Sequence, residues 1–422
     1  MESVKTLIVG AGVSGLATAA ALGSDDYLIL ERDAEIGGYC KTVRRDGFTW
    51  DYSGHFFHFK HPDIERWLRE RMPNQPIRTV QRRSFVSFAG RQIDFPFQKN
   101  IHQLPQADFI DCLYDLYFSR TGTAAPEANF KQMLYGRFGR AICEKFLVPY
   151  NEKLYACDLS ELDRDAMGRF FPHADLTDVI RNMKVPDNAG YNATFTYPQG
   201  GAIEYVRALA SAVRGEAIAL SEPLVALDVA QRVARTPKRE IRYERLVSSA
   251  PLPTLARLAG WETAAGAFGW NKVLVFNLGF DRKGPRDLHW LYVPDRSRCF
   301  YRIGFYDNIF DTDRMSLYVE LGFSRDATLD VDALRERVLA DLAAEGVVTQ
   351  HRLVAHHHVV MDPAYVHITP GSLPERARLL TAFRQANVHS IGRYGGWTHC
   401  SIEDNIVEAR GLVSTFAASR AS

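Results

Sequence analysis

The stretch "TLIVGAGVSGLATAAAL", residues 6–22, leaves this chain little choice of fold. Leu7-Ile8-Val9 is apolar on both faces, as a parallel strand covered on both sides must be. Gly10 permits a tight turn, Gly12 lets backbone approach a pyrophosphate, and Gly15 lets the next helix pack closely on the strand. The alanine-rich helix then turns unpaired N–H groups and its positive dipole end towards the phosphates. Alone, such a turn is equally compatible with a tight strand–helix junction that holds no ligand. A second strand, "YLILE", ends in Glu31, about 20 residues on, where a carboxylate can accept both ribose hydroxyls. Together these predict an α/β chain built on a Rossmann-type dinucleotide-binding domain.

At 422 residues the chain exceeds one simple core, and two or three domains are expected. Its 51 basic and 50 acidic residues are well mixed, with no basic stripe for nucleic acid. No window holds the ~18 uninterrupted apolar residues of a membrane span, so no transmembrane segment is expected. Cys40, Cys112, Cys143, Cys157, Cys299 and Cys400 are scattered, which argues against a zinc site or disulfide framework and for a reducing compartment. The first strand begins almost at once, leaving no room for a signal peptide, and a cytoplasmic location follows as the expectation.

Thr79–Phe97 alternates apolar and polar residues about "AGR" and predicts a β-hairpin. Ile101–Phe171 has helical periodicity, with Phe109, Leu113, Leu116 and Tyr117 on one face. "TYPQGGAIEYVRALASAV" reads as a turn into a helix, and the short runs from 272 to 323 as a mostly antiparallel sheet. Near the carboxyl end, "SIGRYGGWTHCSIEDNIVEA" predicts a strand at His389–Ile391, a glycine turn, and an amphipathic helix from Ser401 to about Thr415. A strand, glycine turn and helix at each end suggests that the two ends meet at one ligand. The expected domains are a discontinuous dinucleotide-binding unit (1–80, 196–262, 385–422) and an inserted α+β substrate unit (81–195, 263–384) with a helical cluster.

"DYSGHFFHFKHP" offers His55, His58 and His61 beside Gly54. A three-histidine metal site is one reading, but aromatic neighbours and the lack of a carboxylate cluster favour another, and no metal is assigned. Gly54 would let backbone pass close to a flat ring, with His55 a donor beside it. A histidine that merely caps a turn stays open. His356–His358 lies in strand-like surroundings and receives no role. In "FYRIGFYDNIF", Arg302 within an aromatic strand is costly to bury unless it meets an anion, which it could clamp bidentately. Arg169 in "SELDRDAMGRFFP" is a second candidate, a surface salt bridge being the plain alternative for both.

These residues together carry a family resemblance. "LERDAEIGG", with Gly37-Gly38 returning the chain to the pyrophosphate, resembles flavoproteins of the glutathione-reductase and amine-oxidase type. That resemblance implies bound FAD, with Glu31 on the adenosine ribose, Arg32 beside the adenine, and backbone near Leu224 in "ALSEPLVALDV" facing the adenine. More narrowly, the chain resembles the UDP-galactopyranose mutase group within the amine-oxidase and protoporphyrinogen-oxidase fold. "SGHFFHF" resembles that group's histidine loop, and "NEKLYACDLSELDRDAMGRFFP" and "FYRIGFYDNIF" its two arginine segments. "TYPQGGAIEYVRALA" resembles its turn before a helix, and "GRYGGW…SIEDNI" its carboxyl-terminal flavin motif, bringing Gly392, Arg393, Glu403 and Asp404 to the cofactor. Where mutases place tyrosines after this turn, the run here is Trp397-Thr398-His399-Cys400.

The resemblance implies a flavin-dependent mutase that interconverts pyranose and furanose forms of a UDP-galactose-like nucleotide sugar, as in polysaccharide biosynthesis. Reduced FAD N5 would attack the anomeric carbon, with His55 holding the reduced flavin and Arg169 and Arg302 neutralising the diphosphate. Tyr301, Asn308, Trp397 and His399 would complete the substrate site. A separate flavin reductant is required, and a homo-oligomer is allowed. The alternatives are an FAD-dependent oxidase or dehydrogenase acting on a small amine or alcohol, and a flavin-binding assembly protein without catalysis.

Overall fold

The computed structural model describes residues 2–119, 127–172, 174–188 and 193–418. The apolar amino-terminal run forms β1 (Glu2–Val9), the chain turns at Gly10 with φ 102°, and the alanine-rich segment forms α1 (Val13–Ala21). β2 (Tyr27–Leu30) lies parallel to β1 with all four residues buried. On the other side of β1 lies β3 (Glu240–Ser248), parallel from Glu2 opposite Ile241 to Val9 opposite Ser248. The outer edge of β3 is shared. Its first residues pair with Val233–Arg235 in antiparallel sense, and its last three pair in parallel with Val388–Ser390. One Rossmann-type sheet therefore draws on the amino end, the middle and the carboxyl end of the chain.

The second sheet is mainly antiparallel. β4 (Gly269–Phe280), β5 (Arg302–Phe305) and β6 (Ser316–Ser324) stand in the spatial order β4–β6–β5. Trp290–Tyr292 follows β5 and pairs in parallel with the hairpin of Ser84–Phe88 and Arg91–Asp94. Alternation gives this sheet two different faces. Leu274, Phe276, Leu278, Leu317 and Val319 pack with Val338 and Leu342 of the helix Val331–Ala344. Val273, Val275, Trp290, Tyr292 and Tyr318 face the other way, into one core with Phe97, Phe130, Phe146 and Tyr155 of the helical cluster.

The helical expectation over Ile101–Phe171 is met by Gln106–Phe118, Phe130–Ile142 and Val148–Tyr155, while its part at 120–126 lies outside the described residues. Gly139, at φ 72°, breaks the periodicity, because any Cβ there would stand 2.6 Å from the backbone carbon of Asp115. The last helix, α3 (Ile402–Ala418), runs three residues further than expected. Among the described residues no helix is long and apolar enough to cross a membrane.

Candidate active site

The amino-terminal turn is shaped by what its glycines lack. A Cβ on Gly15 would overlap the carbonyl oxygen of Gly10, so α1 can sit this close to β1 only with glycine there. A Cβ on Gly38 would stand 3.7 Å from the Cα of Gly12, inside the groove between the two backbones. No side chain caps the start of α1, whose first amides therefore suit an outside acceptor. The Glu31 carboxylate is buried and held in place, accepting from Ala11 N–H at 2.7 Å and Asp33 N–H at 2.9 Å. Arg32 is exposed beside Asp33. Glu222 N–H donates to the Glu31 carbonyl at 2.8 Å, which brings the segment leading to Leu224 alongside this carboxylate.

The carboxyl end packs directly against this turn. Gly392, at φ 81°, lies so near α1 that a Cβ would reach 2.5 Å from Ser14 Oγ. Ser14 Oγ–H donates to Asn405 Oδ1 at 2.9 Å across 391 residues of sequence, and Gly392 N–H donates to Glu408 Oε2 at 2.8 Å. Arg393 follows on a short helix, Gly392–Gly395. Its Nη2 donates to the Cys400 carbonyl at 2.7 Å, and it forms no ion pair among the described residues.

Two expected cofactor residues are corrected here. Glu403 is buried and accepts from Lys60 N–H at 2.9 Å and His61 N–H at 2.9 Å, so it caps α2 (Pro62–Glu70). Asp404 accepts from Ser401 N–H at 2.7 Å while Ser401 Oγ accepts from Asp404 N–H at 3.1 Å. This is a capping box for α3, and Asp404 also pairs with Arg169. The residues that bridge this helix to α1 and the glycine turn are Asn405, the next residue, and Glu408, about one turn further on, which the motif reading passed over.

Between the two sheets runs the histidine loop. Ser53 sits at φ 73°, an unusual backbone for a non-glycine residue, and its Oγ–H donates to Glu320. Glu320 stands directly opposite Arg302 in the β5–β6 register. Its carboxylate takes Arg302 Nε–H at 2.5 Å and Nη2–H at 2.9 Å, a bidentate pair with Glu320 fully buried. Beside it, a Cβ on Gly304 would overlap the Tyr318 ring, so Tyr318 can lie across β5 and accept from Trp290 Nε1–H. Gly54 is likewise pressed on Tyr318, where a Cβ would meet the ring carbon bearing the hydroxyl at 2.8 Å.

The three histidines of this loop part company. Burial, and next the Arg393 charge, push the His55 pKa down to about 4, so its ring is neutral near pH 7. Its Nδ1 is buried with no hydrogen-bond partner among the described residues. His58 Nδ1 hydrogen-bonds the Thr194 carbonyl at 2.8 Å, and His61 begins α2. Buried Asp51, absent from the motif reading, anchors the loop from below by accepting from Thr42 Oγ1–H, Tyr197 OH and Ala202 N–H.

Several expected substrate residues are placed differently. Arg302 is bound to Glu320, leaving Nη1 without a hydrogen bond among the described residues, and Arg169 is paired to Asp404. Tyr301 is 0% exposed with its hydroxyl unpartnered, and Trp397 is 1% exposed, packed on Phe268 and Trp270. Asn308 donates to the carbonyls of Pro285 and Leu288, fixing a loop. Tyr301 and Trp397 are directed inward by their strand and turn, while the Asn308 amide is spent on its own loop. His399 does stand near the site. Its Nε2 lies 3.3 Å from Tyr155 OH, and burial, then the Arg393 charge, push its pKa down to about 3. Glu320 and Arg82 were missed. An acid inside the apolar run "SLYVELGF" was the signal for Glu320.

The residues present fit FAD. The uncapped α1, the groove between Gly12 and Gly38, the fixed Glu31 carboxylate, the Arg393 guanidinium without a carboxylate, and the unpartnered His55 Nδ1 are features a bare turn has no use for. Glu31 would hold the ribose, the α1 amides the pyrophosphate, and Arg393 and His55 the ring.

Comparison with known proteins agrees. The chain superposes on the reduced UDP-galactopyranose mutase with a TM-score of 0.89 at 24% identity, covering 99% of this chain and 94% of that one. Cyclohexylamine oxidase from Brevibacterium oxydans gives 0.69 at 16% identity, covering 97% and 99%. The two curated relatives that follow are matched over less than a third of their own length. Protoporphyrinogen oxidase 1 of Spinacia oleracea is 25% identical over 184 residues, 39% of this chain and 31% of that enzyme. A Baeyer-Villiger monooxygenase of Pseudomonas aeruginosa is 37% identical over 68 residues, 15% of this chain and 13% of that enzyme. The model of the flavin-containing amine oxidoreductases matches residues 13–410, and the chain belongs to that family, with FAD as its cofactor.

Proposed function

We propose that this flavoenzyme is a nucleotide-sugar mutase, interconverting the pyranose and furanose forms of a UDP-galactose-like substrate. The observation that carries the reading is the charge of the site. The guanidinium groups of Arg302, Arg393 and Arg82 gather about the His55 loop and the sheet face beside it, with Glu320 pairing one of them. Such a lining attracts a diphosphate and repels the ammonium group of an amine. The similarity to UDP-galactopyranose mutase over 99% of the chain supports the same reading.

Bound FAD in its reduced form supplies the electron-rich centre for chemistry at an anomeric carbon. The chain's own residues bind and orient. Arg302 presents Nη1 to the leaving diphosphate while Glu320 keeps the guanidinium plane fixed. Arg169, 44% exposed, can exchange Asp404 for a phosphate without crossing the core. His55, neutral near pH 7, can donate one hydrogen bond to the ring without adding a charge.

The test is product analysis under anaerobic conditions after dithionite reduction, with UDP-, GDP- and dTDP-hexopyranoses. An isomer of unchanged mass, formed only by the reduced enzyme and without net electron consumption, is expected. Bleaching of the oxidised flavin by an amine or alcohol, with no isomer from any nucleotide sugar, would replace the mutase by an oxidase.

A further inference from the structure

Arg82 follows the strand Ile77–Gln81 and precedes the Ser84–Phe88 hairpin. Its guanidinium makes no hydrogen bond and no ion pair with any described residue, and its Nη1 is closed off from solvent. The nearest compensation is aromatic: the Cζ lies 5.1 Å from the Phe95 ring centroid and 5.7 Å from that of Trp290. Cation–π contact of this kind offsets only part of what a largely buried cation loses in leaving water. An arginine cannot relieve this by giving up its proton.

The surroundings sharpen the imbalance. Burial opposes the charge on Arg82, and the charge of Arg302 acts in the same direction. His58 and His289, whose pKa values burial pushes down to about 4, are neutral near pH 7. The nearby carboxylates are already engaged, Glu320 by Arg302 and Ser53, and Asp287 by Arg83 at the surface. Trp290 lies on the same sheet face as Arg302, whose direct neighbour across the strands is Tyr292.

We propose that Arg82 is a substrate-binding residue that pairs with an oxyanion, a phosphate or a carboxylate, on the sheet face it shares with Arg302. Among the described residues this face keeps a cation without a carboxylate, which a bound anion would complete. The assignment rests on reading the Arg302 face of the second sheet as the substrate side, and not on the isomerisation itself.

The experiment is calorimetric titration of the oxidised holoenzyme at low ionic strength with pyrophosphate, UDP and malonate. Wild type, Arg82→Gln, Arg82→Lys and Arg82→Met are compared, and the unliganded stability of each is measured by urea denaturation. Wild type is expected to bind at least one probe. Arg82→Gln and Arg82→Met should bind it ~10- to 100-fold more weakly, with Arg82→Lys between. Both neutral variants should be at least as stable as wild type without ligand, because they remove an uncompensated charge. Preference for pyrophosphate and UDP over malonate identifies a phosphate. Uptake of no probe by wild type, equal affinity in Arg82→Gln, or lower unliganded stability in both neutral variants would each overturn the proposal. Pyrophosphate binding through Arg82 without any sugar isomer would leave it standing and remove the mutase, whereas isomer formation untouched by Arg82→Gln would do the reverse.

Discussion

Arg302 and Glu320 face each other across two strands, and the pair shows how a single residue's role depends on its neighbour. With the carboxylate in place, Arg302 is a fixed plane with one nitrogen left to offer. Removing the carboxylate while keeping its volume leaves a largely buried guanidinium unpaired. Glu320→Gln is therefore expected to lower stability by roughly 3 kcal/mol, measured by urea denaturation of the holoenzyme. The same variant should bind pyrophosphate more tightly, since the anion would then be the partner. A variant as stable as wild type would mean that the ion pair contributes nothing net. Arg302 was legible in the sequence as a cation out of place in an aromatic strand. Its partner was not singled out, because the β5–β6 register that sets them opposite each other is a property of the folded sheet.

At the scale of elements, α3 joins three parts of the molecule through successive side chains. Glu403 caps α2, Asp404 closes its own helix start, and Asn405 reaches α1 and the Arg393 backbone. The motif pointed to an acidic helix start at the cofactor, and three adjacent residues could not be told apart by pattern. They leave the helix about 100° apart, so each meets a different neighbour. Glu403→Gln is expected to lower the denaturation midpoint by the equivalent of ~1–3 kcal/mol, with flavin absorbance per chain unchanged. Loss of flavin with no loss of stability would return Glu403 to the cofactor site. The β-hairpin, the antiparallel sheet and the meeting of the chain ends were readable earlier, because alternation and glycine spacing are local signals.

For the whole molecule, the buried histidines dominate the response to acid. Burial is the first cause that pushes His55, His58, His289 and His389 down to about 4 and His399 to about 3. An unfolded chain takes up these protons near pH 6.5, the folded one only near 4 or below, so the unfolded state binds more protons in between. Stability should fall as pH drops from about 6.5 to 4. Asp51, raised by burial to about 6, acts with the opposite sign, as do Asp307 and Glu408, which burial also raises, but the lowered histidines, among them His356, His357 and His367, outnumber these three. Melting temperatures across this range should decline steadily, and His399→Gln should flatten the slope; a level profile from pH 7 to 5 would contradict the burial of these rings. The sequence by itself determined the FAD turn, the Rossmann-type sheet and the mixed architecture, because glycine geometry and the periods of helix and strand act over a few residues. Only the tertiary structure decided which charges stay available. Arg302 is joined to Glu320, Arg169 to Asp404 some 235 residues away, Glu403 is held at α2, and Arg82 is left without a partner among the described residues. Pairing of charges depends on distances across the fold, and no local pattern encodes those.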